Sequence, residues 1–225
     1  MNPTATEPCA IVPVDAAVQR AALFCAVAGE PALLRVLRTL LGDRRVPARR
    51  IVVVAQPELV DDIAAATADA GLAEIAVLPG NATRVQCVRR GLEHLDPGPD
   101  VPVLVHDHRC PLASAAVTDR VLEALAAGHD VVAPVLSMTD TVKQVDETGA
   151  VVDTIDRQAL RTAQHPRGYR AATLGSLLRE DDCEFTSALT SGTPIETVTG
   201  DGDAITADLP ADAALLDAIL AARST

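Results

Sequence analysis

The chemistry of this 225-residue chain is concentrated in four polar segments, the densest being His106-Asp107-His108-Arg109-Cys110. It follows the apolar run VPVLV, which predicts a buried strand. Ligands this crowded cannot all converge on one zinc ion, whereas a single carboxylate suits Mg²⁺ held together with a nucleotide phosphate. The same residues would also suit a polar loop with a hydrogen-bonded histidine. The pattern therefore leaves a magnesium ligand, Asp107, and an ordinary loop as alternatives.

The other three segments offer arginines and hydroxyl groups. Arg20 lies in a loop that has no glycine to bring backbone N–H groups near a phosphate, so the residues alone favour a surface loop. Gly80 and Arg84 lie at a predicted strand-to-helix junction, which suits either a capped helix or a nucleotide contact. Thr141 and Arg157 lie at the two ends of a predicted hairpin. They could clamp a phosphate or serve only turn and cap chemistry.

Alternating strands and helices are needed to bring these segments together. Short β-branched runs predict strands at residues 10–14, 51–54, 74–78, 101–105, 131–136 and 194–198. Apolar residues three and four apart predict helices at residues 31–41, 57–70, 83–95, 114–127, 170–178 and 211–223. This alternation predicts βαβ units and an α/β fold, with a mostly parallel sheet and helices on both faces. Ligands of such sheets bind at the carboxyl ends of the strands, where the polar segments lie.

One segment departs from the α/β alternation. Residues 141–146 and 151–155 alternate apolar and polar side chains and flank Glu147-Thr148-Gly149, which predicts a β-hairpin. A hairpin inserted in a parallel α/β fold often projects outward and contacts a partner subunit. We expect a single domain over residues 1–225 with this β-arm at residues 139–157.

Composition excludes several functional classes. The formal net charge is -12, without a basic stripe, so we expect no nucleic-acid partner. There is no apolar run near 18 residues and no visible signal peptide, so we expect no membrane association. The five cysteines are widely spaced without a CxxC pair, which is typical of reduced thiols and a cytoplasmic protein. No GxGxxG follows a predicted strand, which disfavours a dinucleotide-binding protein.

In chain order, these segments resemble the 2-C-methyl-D-erythritol 4-phosphate cytidylyltransferase family. The resemblance spans residues 10–220 and is carried by IVP at 11–13, PGNATR at 79–84, VLVHD at 103–107, VLSMTDTVK at 135–143, TIDR at 154–157, AQHPRGY at 163–169 and LPAD at 209–212. It implies a Rossmann-like nucleotidyltransferase fold (GT-A-like) and a homodimer formed through the β-arm. The implied reaction joins CTP to a sugar-alcohol phosphate with Mg²⁺ and releases pyrophosphate.

The resemblance assigns ligand-facing places to seven residues. They are Arg20, Gly80, Arg84 and Cys87 for the nucleotide, Asp107 for Mg²⁺, and Thr141 and Arg157 for the sugar-alcohol phosphate. Cys87 stands where the family has a serine that reads cytosine, and a thiol is a weaker hydrogen-bond partner. Thr141 and Arg157 lie on the arm, which in this family serves the partner subunit's site.

The departures from the family pattern fall on the nucleotide site. Residues 14–22 replace the glycine-rich loop and place Asp15 where phosphates would lie. The segment with the first active-site lysine is missing, and the second lysine aligns to Thr206. The arginine of the VHDAARP motif is displaced by one place, to Arg109. The single lysine of the chain, Lys143, lies on the predicted arm.

Two hypotheses follow. The chain is either an active, divergent nucleotidyltransferase that uses rearranged arginines, or a degenerate member that keeps the fold and the dimer. Phosphoryl-type transfer depends on positioned positive charge, and one lost contact typically costs about 10²–10³ in rate. Because two lysines and the glycine-rich loop are missing together, we expect weak or lost activity.

Overall fold

The fold is an α/β arrangement around one twisted sheet. The computed structural model describes residues 7–42, 45–80, 83–179 and 183–223. Its strands are β1 (Cys9–Pro13), β2 (Ala26–Val27), β3 (Glu30–Pro31), β4 (Ile51–Ala55), β5 (Ala76–Pro79), β6 (Pro102–Val105), β7 (Val131–Ser137), β8 (Val142–Val145), β9 (Val151–Ile155), β10 (Arg161–Ala163), β11 (Arg167–Arg170) and β12 (Glu196–Thr199). Its α-helices are α1 (Arg20–Leu23), α2 (Ala32–Leu41), α3 (Pro57–Asp69), α4 (Arg84–Leu95), α5 (Ala115–Ala126), α6 (Ala171–Leu177), α7 (Glu184–Thr190) and α8 (Ala213–Arg223).

The main sheet has the strand order β10-β7-β11-β6-β1-β4-β5, and β12 also pairs with β7. Strand β1 is parallel to β4 and β6, β4 is parallel to β5, and β12 is parallel to β7. Strand β11 is antiparallel to both of its neighbours. The predicted α/β class with a largely parallel sheet is confirmed, with an antiparallel strand between its two parallel parts.

Strand β1 supplies the centre of the core because all five of its residues are buried. Successive side chains of a strand point to opposite faces. Ala10 and Val12 therefore pack with α2, α3 and α5, whereas Cys9 and Ile11 pack with α4, α6 and α7. This placement explains the apolar run at the start of the sequence and confirms that helices cover both faces of the sheet.

The polar segments leave the sheet at one edge. After β1, the backbone N–H of Val14 still donates to the Val54 carbonyl at 2.8 Å. After β6, the N–H of His106 donates to the Ile11 carbonyl at 3.1 Å, and after β5 the N–H of Gly80 donates to the Ala55 carbonyl at 2.7 Å. The loops that follow these strands therefore begin side by side at the carboxyl edge, as the sequence predicts.

Strand β11 is the main difference from the predicted elements, since a helix is predicted from residue 170 and β11 precedes it. Its four residues include one large apolar side chain, that of Tyr169, so they carry no periodic signal. Gly168 allows the strand to pack under α5, because a Cβ atom there would lie 2.5 Å from Cγ1 of Val121. The predicted strands at 74–78 and 194–198 are displaced to β5 and β12.

The predicted hairpin is present as a separate two-stranded antiparallel sheet, in which β8 pairs with β9. Lys143 Nζ donates to Thr154 Oγ1 across the pair at 2.7 Å, so this ammonium group is engaged within the hairpin. Exposed apolar side chains occupy the hairpin at Val145, Val151 and Val152. Within the described ranges, the helices are too short or too polar to cross a bilayer.

Replacement of two helical glycines by alanine should have opposite effects on the stability of this fold. A Cβ atom at Gly91 in α4 would lie 2.7 Å from Cγ2 of the buried Ile11, whereas one at Gly175 in α6 would meet only Leu92 at 3.8 Å. We expect Gly91→Ala to lower the free energy of unfolding by about 1–3 kcal/mol, because the β-branched Ile11 cannot move aside cheaply. We expect the matched Gly175→Ala to raise it by about 0.5–1 kcal/mol. Urea unfolding checks both, and equal effects would contradict the packing of α4 on β1.

Candidate functional site

A cavity of about 490 Å³ opens at the carboxyl edge of the sheet. Its lining comes from the segment after β1, the N-terminus of α4, the loop after β6 and a stretch before α8. The lining residues are Pro13, Asp15, Ala17, Val18, Gln19, Ala22, Arg84, Asp107, His108, Arg109 and residues 208–211. Two residues predicted for the site, Arg84 and Asp107, therefore lie in one cavity. The structure brings them together from segments 23 positions apart, through the parallel β5 and β6.

Asp107 is held by the arginine two positions along the chain. Its Oδ1 accepts from the backbone N–H and from Nε of Arg109 at 3.0 and 3.1 Å, and its Oδ2 accepts from Nη2 at 2.9 Å. Burial by itself raises the pKa of Asp107, but the hydrogen bonds from Arg109 and the nearby charge of Arg84 hold that pKa well below its usual range. The carboxylate is therefore ionised and already has a cationic partner.

Arg84 also has a partner, the buried carboxylate of Glu184 in α7. Nη2 and Nε of Arg84 donate to the two carboxylate oxygens at 3.0 and 3.3 Å. Nη1 of Arg84 lies 3.6 Å from Oδ2 of Asp107. Burial lowers the pKa of the guanidinium, but the charge and hydrogen bonds of Glu184 more than offset this and raise its pKa above the ordinary value. Arg84 thus bridges two carboxylates at the base of the cavity.

The histidines near Asp107 supply no positive charge to the cavity. His106 is completely buried, its Nδ1 lies 3.0 Å from the Asp107 carbonyl, and its ring stacks on His165. Burial lowers the pKa of His106 to about 4 and lowers the pKa of His165 and of His108 as well. The three rings are therefore neutral near pH 7, in agreement with the alternative of a buried, hydrogen-bonded histidine beside Asp107.

The structure places Arg20 away from the cavity. Its Nε lies 2.5 Å from Oδ2 of Asp62 in α3, and its guanidinium stacks over the ring of Phe24. Arg20 is not among the described lining residues, although its neighbours Gln19 and Ala22 are. Arg20 begins the short helix α1 and so does not lie in a loop, although its exposed side chain fits the predicted surface position. A phosphate-facing role for Arg20 stays a prediction.

Gly80 and Cys87 are not among the described lining residues of the cavity, and they pack against each other. A Cβ atom at Gly80 would lie 2.6 Å from Cγ1 of Val54 and 3.0 Å from Sγ of Cys87, so the glycine is needed for packing. Cys87 is buried, and its Sγ lies 3.9 Å from the Val14 carbonyl oxygen. Thr83 caps α4 through a reciprocal pair of hydrogen bonds with Gln86, which fits the capped-helix alternative for this junction. Asn81 and Ala82 of the same loop lie outside the described residues.

The two predicted substrate residues of the hairpin do not reach the described cavity of their own chain. Thr141 is exposed next to β8, and Arg157 is exposed beyond β9. Nη1 of Arg157 donates to the Thr139 carbonyl at 2.7 Å, which ties the two ends of the hairpin together. Their predicted role in binding a sugar-alcohol phosphate stays a prediction that requires a second subunit.

The position at which the resemblance expects the second lysine lies beside the Asp107 loop. Oγ1 of Thr206 lies 3.6 Å from Sγ of Cys110, and the N–H of Ala207 donates to the Arg109 carbonyl at 2.8 Å. The segment before α8 thus packs next to the cavity as the alignment implies. It brings a neutral hydroxyl group in place of an ammonium group.

Sequence reasoning missed two acidic residues of this region. Glu184 neutralises Arg84, but it follows the undescribed residues 180–182 and has no motif around it. Asp208 lines the cavity wall with residues 209–211, a stretch that the sequence marks only through the resemblance. Together with Asp15 and Asp107, Asp208 gives the described lining three carboxylates against the guanidinium groups of Arg84 and Arg109.

These residues do not fit a magnesium site as they are arranged. Both oxygens of Asp107 are engaged by Arg109, and the described residues contain no group of three His, Cys, Asp or Glu side chains that could hold a metal ion. Mg²⁺ requires oxygen ligands in near-octahedral geometry and usually one or two free carboxylates. The assignment of Mg²⁺ to Asp107 stays a prediction that the geometry does not favour.

The strand order and the cavity at the carboxyl edge define an α/β protein with a largely parallel sheet. The chain superimposes on a crystal structure of 4-diphosphocytidyl-2C-methyl-D-erythritol synthase with a TM-score of 0.80, covering 96% of this chain and 99% of that one at 22% identity. It also superimposes on 2-C-methyl-D-erythritol 4-phosphate cytidylyltransferase from Thermus thermophilus with a TM-score of 0.75, the same coverage and 27% identity.

The chain belongs to the 2-C-methyl-D-erythritol 4-phosphate cytidylyltransferase family, whose profile matches residues 9–222. The relative of that name from Frankia casuarinae is 39% identical over 202 residues, which cover 87% of this chain and 73% of the relative. The relative from Streptomyces coelicolor is 34% identical over 213 residues, covering 88% and 77%. The family resemblance seen in the sequence is confirmed.

The Arg84–Glu184 pair makes the first prediction for the site. We expect Arg84→Met to lower the free energy of unfolding by about 3–5 kcal/mol, because it leaves the Glu184 carboxylate buried without a partner. The double variant Arg84→Met, Glu184→Leu should be distinctly more stable than the single variant. Removing an exposed ion pair through Arg49→Ala is the control, with an expected effect of about 0–1 kcal/mol. If Arg84→Met lowers the free energy of unfolding no more than Arg49→Ala does, the Arg84–Glu184 pair does not stabilise the fold in this way.

Proposed function

We propose that this chain retains the fold and ligand cavity of its family but that its nucleotidyl-transfer activity is weak or lost. One observation carries this proposal: both arginines of the described cavity lining are already paired with carboxylates of the same chain. Arg84 is paired with Glu184, and Arg109 with Asp107. Transfer of a cytidylyl group to methylerythritol phosphate, the reaction in the names of the relatives, needs cations that are free to meet phosphates.

The electrostatics of the cavity supports the same conclusion. A nucleoside triphosphate would meet Asp15 and Asp208 at the walls and find Arg84 and Arg109 neutralised. The chain's single lysine is bound to Thr154 on the hairpin, and Thr206 stands where the alignment expects the second catalytic lysine. Negative charge developing on the phosphates therefore has few positioned donors to stabilise it.

One observation favours the alternative, an active divergent enzyme. The Arg109 side chain is 54% exposed and lines the cavity, although the Asp107 side chain beneath it is only 6% exposed. A phosphate group could compete with Asp107 for the guanidinium, and Arg109 would then supply a rearranged contact. A planar guanidinium does not replace the point charge of a lysine without changing the geometry of the contact.

Calorimetry with CTP and a pyrophosphate-release assay decide between these two functions. With Mg²⁺ and methylerythritol phosphate supplied, we expect no CTP binding in the micromolar range and pyrophosphate release at least about 10³-fold slower than for a relative that retains both lysines. Arg109→Gln is the control for contaminating enzyme, since it should abolish any release that depends on a rearranged contact from Arg109. Micromolar binding of CTP with release that Arg109→Gln abolishes would establish the active alternative.

We propose further that the chain forms a homodimer through its β-arm, here the hairpin of β8 and β9. Three valines on the hairpin, Val145, Val151 and Val152, are more than half exposed. Apolar side chains concentrated on a projecting hairpin are typical of an interface rather than a solvated surface. A dimer would also bring Thr141 and Arg157 to another subunit, which is the arrangement implied by the resemblance.

The dimer prediction is tested by placing a charge on the hairpin. We expect Val152→Glu to shift the sedimentation of the protein from dimer to monomer at micromolar concentration, because the carboxylate would have to be buried in the interface. Leu189→Glu is the matched control, since Leu189 is similarly exposed but lies on α7. A wild-type protein that sediments as a monomer, or a dimer broken by Leu189→Glu alone, would contradict the arm interface.

A further inference from the structure

The loop after β6 closes on itself through a carboxylate and a guanidinium. Asp107 and Arg109 are two residues apart, and three N–H groups of Arg109 donate to the two oxygens of Asp107 at 2.9 to 3.1 Å. One of these donors is the backbone N–H, which holds Oδ1 in place independently of the arginine side chain. The arrangement is a charge-assisted, two-pronged pairing of the kind that fixes geometry as well as charge.

The remaining surroundings of Asp107 are also cationic or neutral. Nη1 of Arg84 lies 3.6 Å from Oδ2 of Asp107. Nδ1 of His108 lies 3.5 Å from Oδ1, and burial favours the neutral form of that ring. Only 6% of the Asp107 side chain is exposed, compared with 54% for Arg109. Both residues line the cavity, and the guanidinium is much the more exposed of the two groups.

This arrangement conflicts with a divalent cation at Asp107. A metal ion at either oxygen would compete with the charge-assisted hydrogen bonds of Arg109, and it would sit near the guanidinium of Arg84. The two other acids of the described lining, Asp15 and Asp208, do not form a ligand group with Asp107. The position of Arg109 in the VHDHRCP sequence accounts for this, since a side chain two residues on can fold back over the carboxylate.

We propose that Arg109 is the resident cation of this cavity and that it excludes divalent metal ions from Asp107. A phosphate-bearing ligand then meets a guanidinium at the place where the family resemblance implies Mg²⁺. Arg109 pairs with Asp107 through Nε and Nη2, so the guanidinium engages both of the oxygens that a metal ion would need. The proposal concerns metal binding and holds whether or not the chain transfers a nucleotide.

Binding of Mn²⁺ alone, followed by electron paramagnetic resonance of the free ion, tests this proposal without any enzyme assay. We expect the wild-type protein and Asp107→Asn to bind Mn²⁺ equally weakly. We expect Arg109→Gln and Arg109→Ala to gain one site at least about tenfold tighter, since neighbours of a carboxylate ligand typically change metal affinity by about 10–100-fold. The double variant Arg109→Gln, Asp107→Asn should lose that site again.

The control and the contradicting outcomes are specific to Asp107. Arg49→Ala removes an arginine that pairs with Glu7 far from the cavity, so it should leave Mn²⁺ binding unchanged. Circular dichroism shows whether each variant folds, and two substitutions at Arg109 keep the test open if one of them does not. A wild-type site for Mn²⁺ that Asp107→Asn removes would overturn the proposal. So would folded Arg109 variants that gain no site.

Discussion

The need to neutralise buried charge organises the carboxyl edge of this sheet. The Glu184 side chain is completely buried and that of Asp107 is nearly so, and a carboxylate in such a place must have a partner. Arg84 and Arg109 satisfy this need and connect α7, α4 and the loop after β6. These ion pairs hold the elements together, and they also neutralise the guanidinium groups that could otherwise bind a phosphate in the cavity. Stability of the loop and availability of its cations are therefore in competition.

The fold shows which parts of the molecule are independent of that competition. Strand β1 is buried on both faces, and its neighbours β4 and β6 continue the parallel sheet on either side. The cavity forms because the loops after these strands diverge at one edge, a property of the topology and not of any catalytic group. The sheet, the cavity and the hairpin therefore form without a lysine or a glycine in residues 14–22.

Periodicity predicts the elements that are long and uniformly apolar, such as β1, β4 and α2, because local hydrophobic pattern and tertiary burial agree there. It fails for β11, where Tyr169 is surrounded by polar residues and the strand is defined only by its partners β6 and β7. For the site, spacing brings Arg84 and Asp107 to one cavity correctly. It cannot reveal that Glu184, 100 positions further on, neutralises Arg84, because a long-range ion pair leaves no mark in local sequence.

Because the chain is short of lysine, its buried carboxylates are paired with guanidinium groups. A chain with 18 arginines and one lysine has almost no point-like ammonium groups, and its cations are planar forks that match a carboxylate with two parallel hydrogen bonds. Such a fork loses both bonds at once when a phosphate displaces the carboxylate, whereas an ammonium group can exchange one oxygen for another. Replacement of lysine by arginine across the chain would by itself have left an arginine at the position where the family resemblance implies a second active-site lysine, yet Thr206 stands there. The general bias towards arginine and the hydroxyl residue at this position are therefore separate features of the sequence, and the bias alone does not account for Thr206.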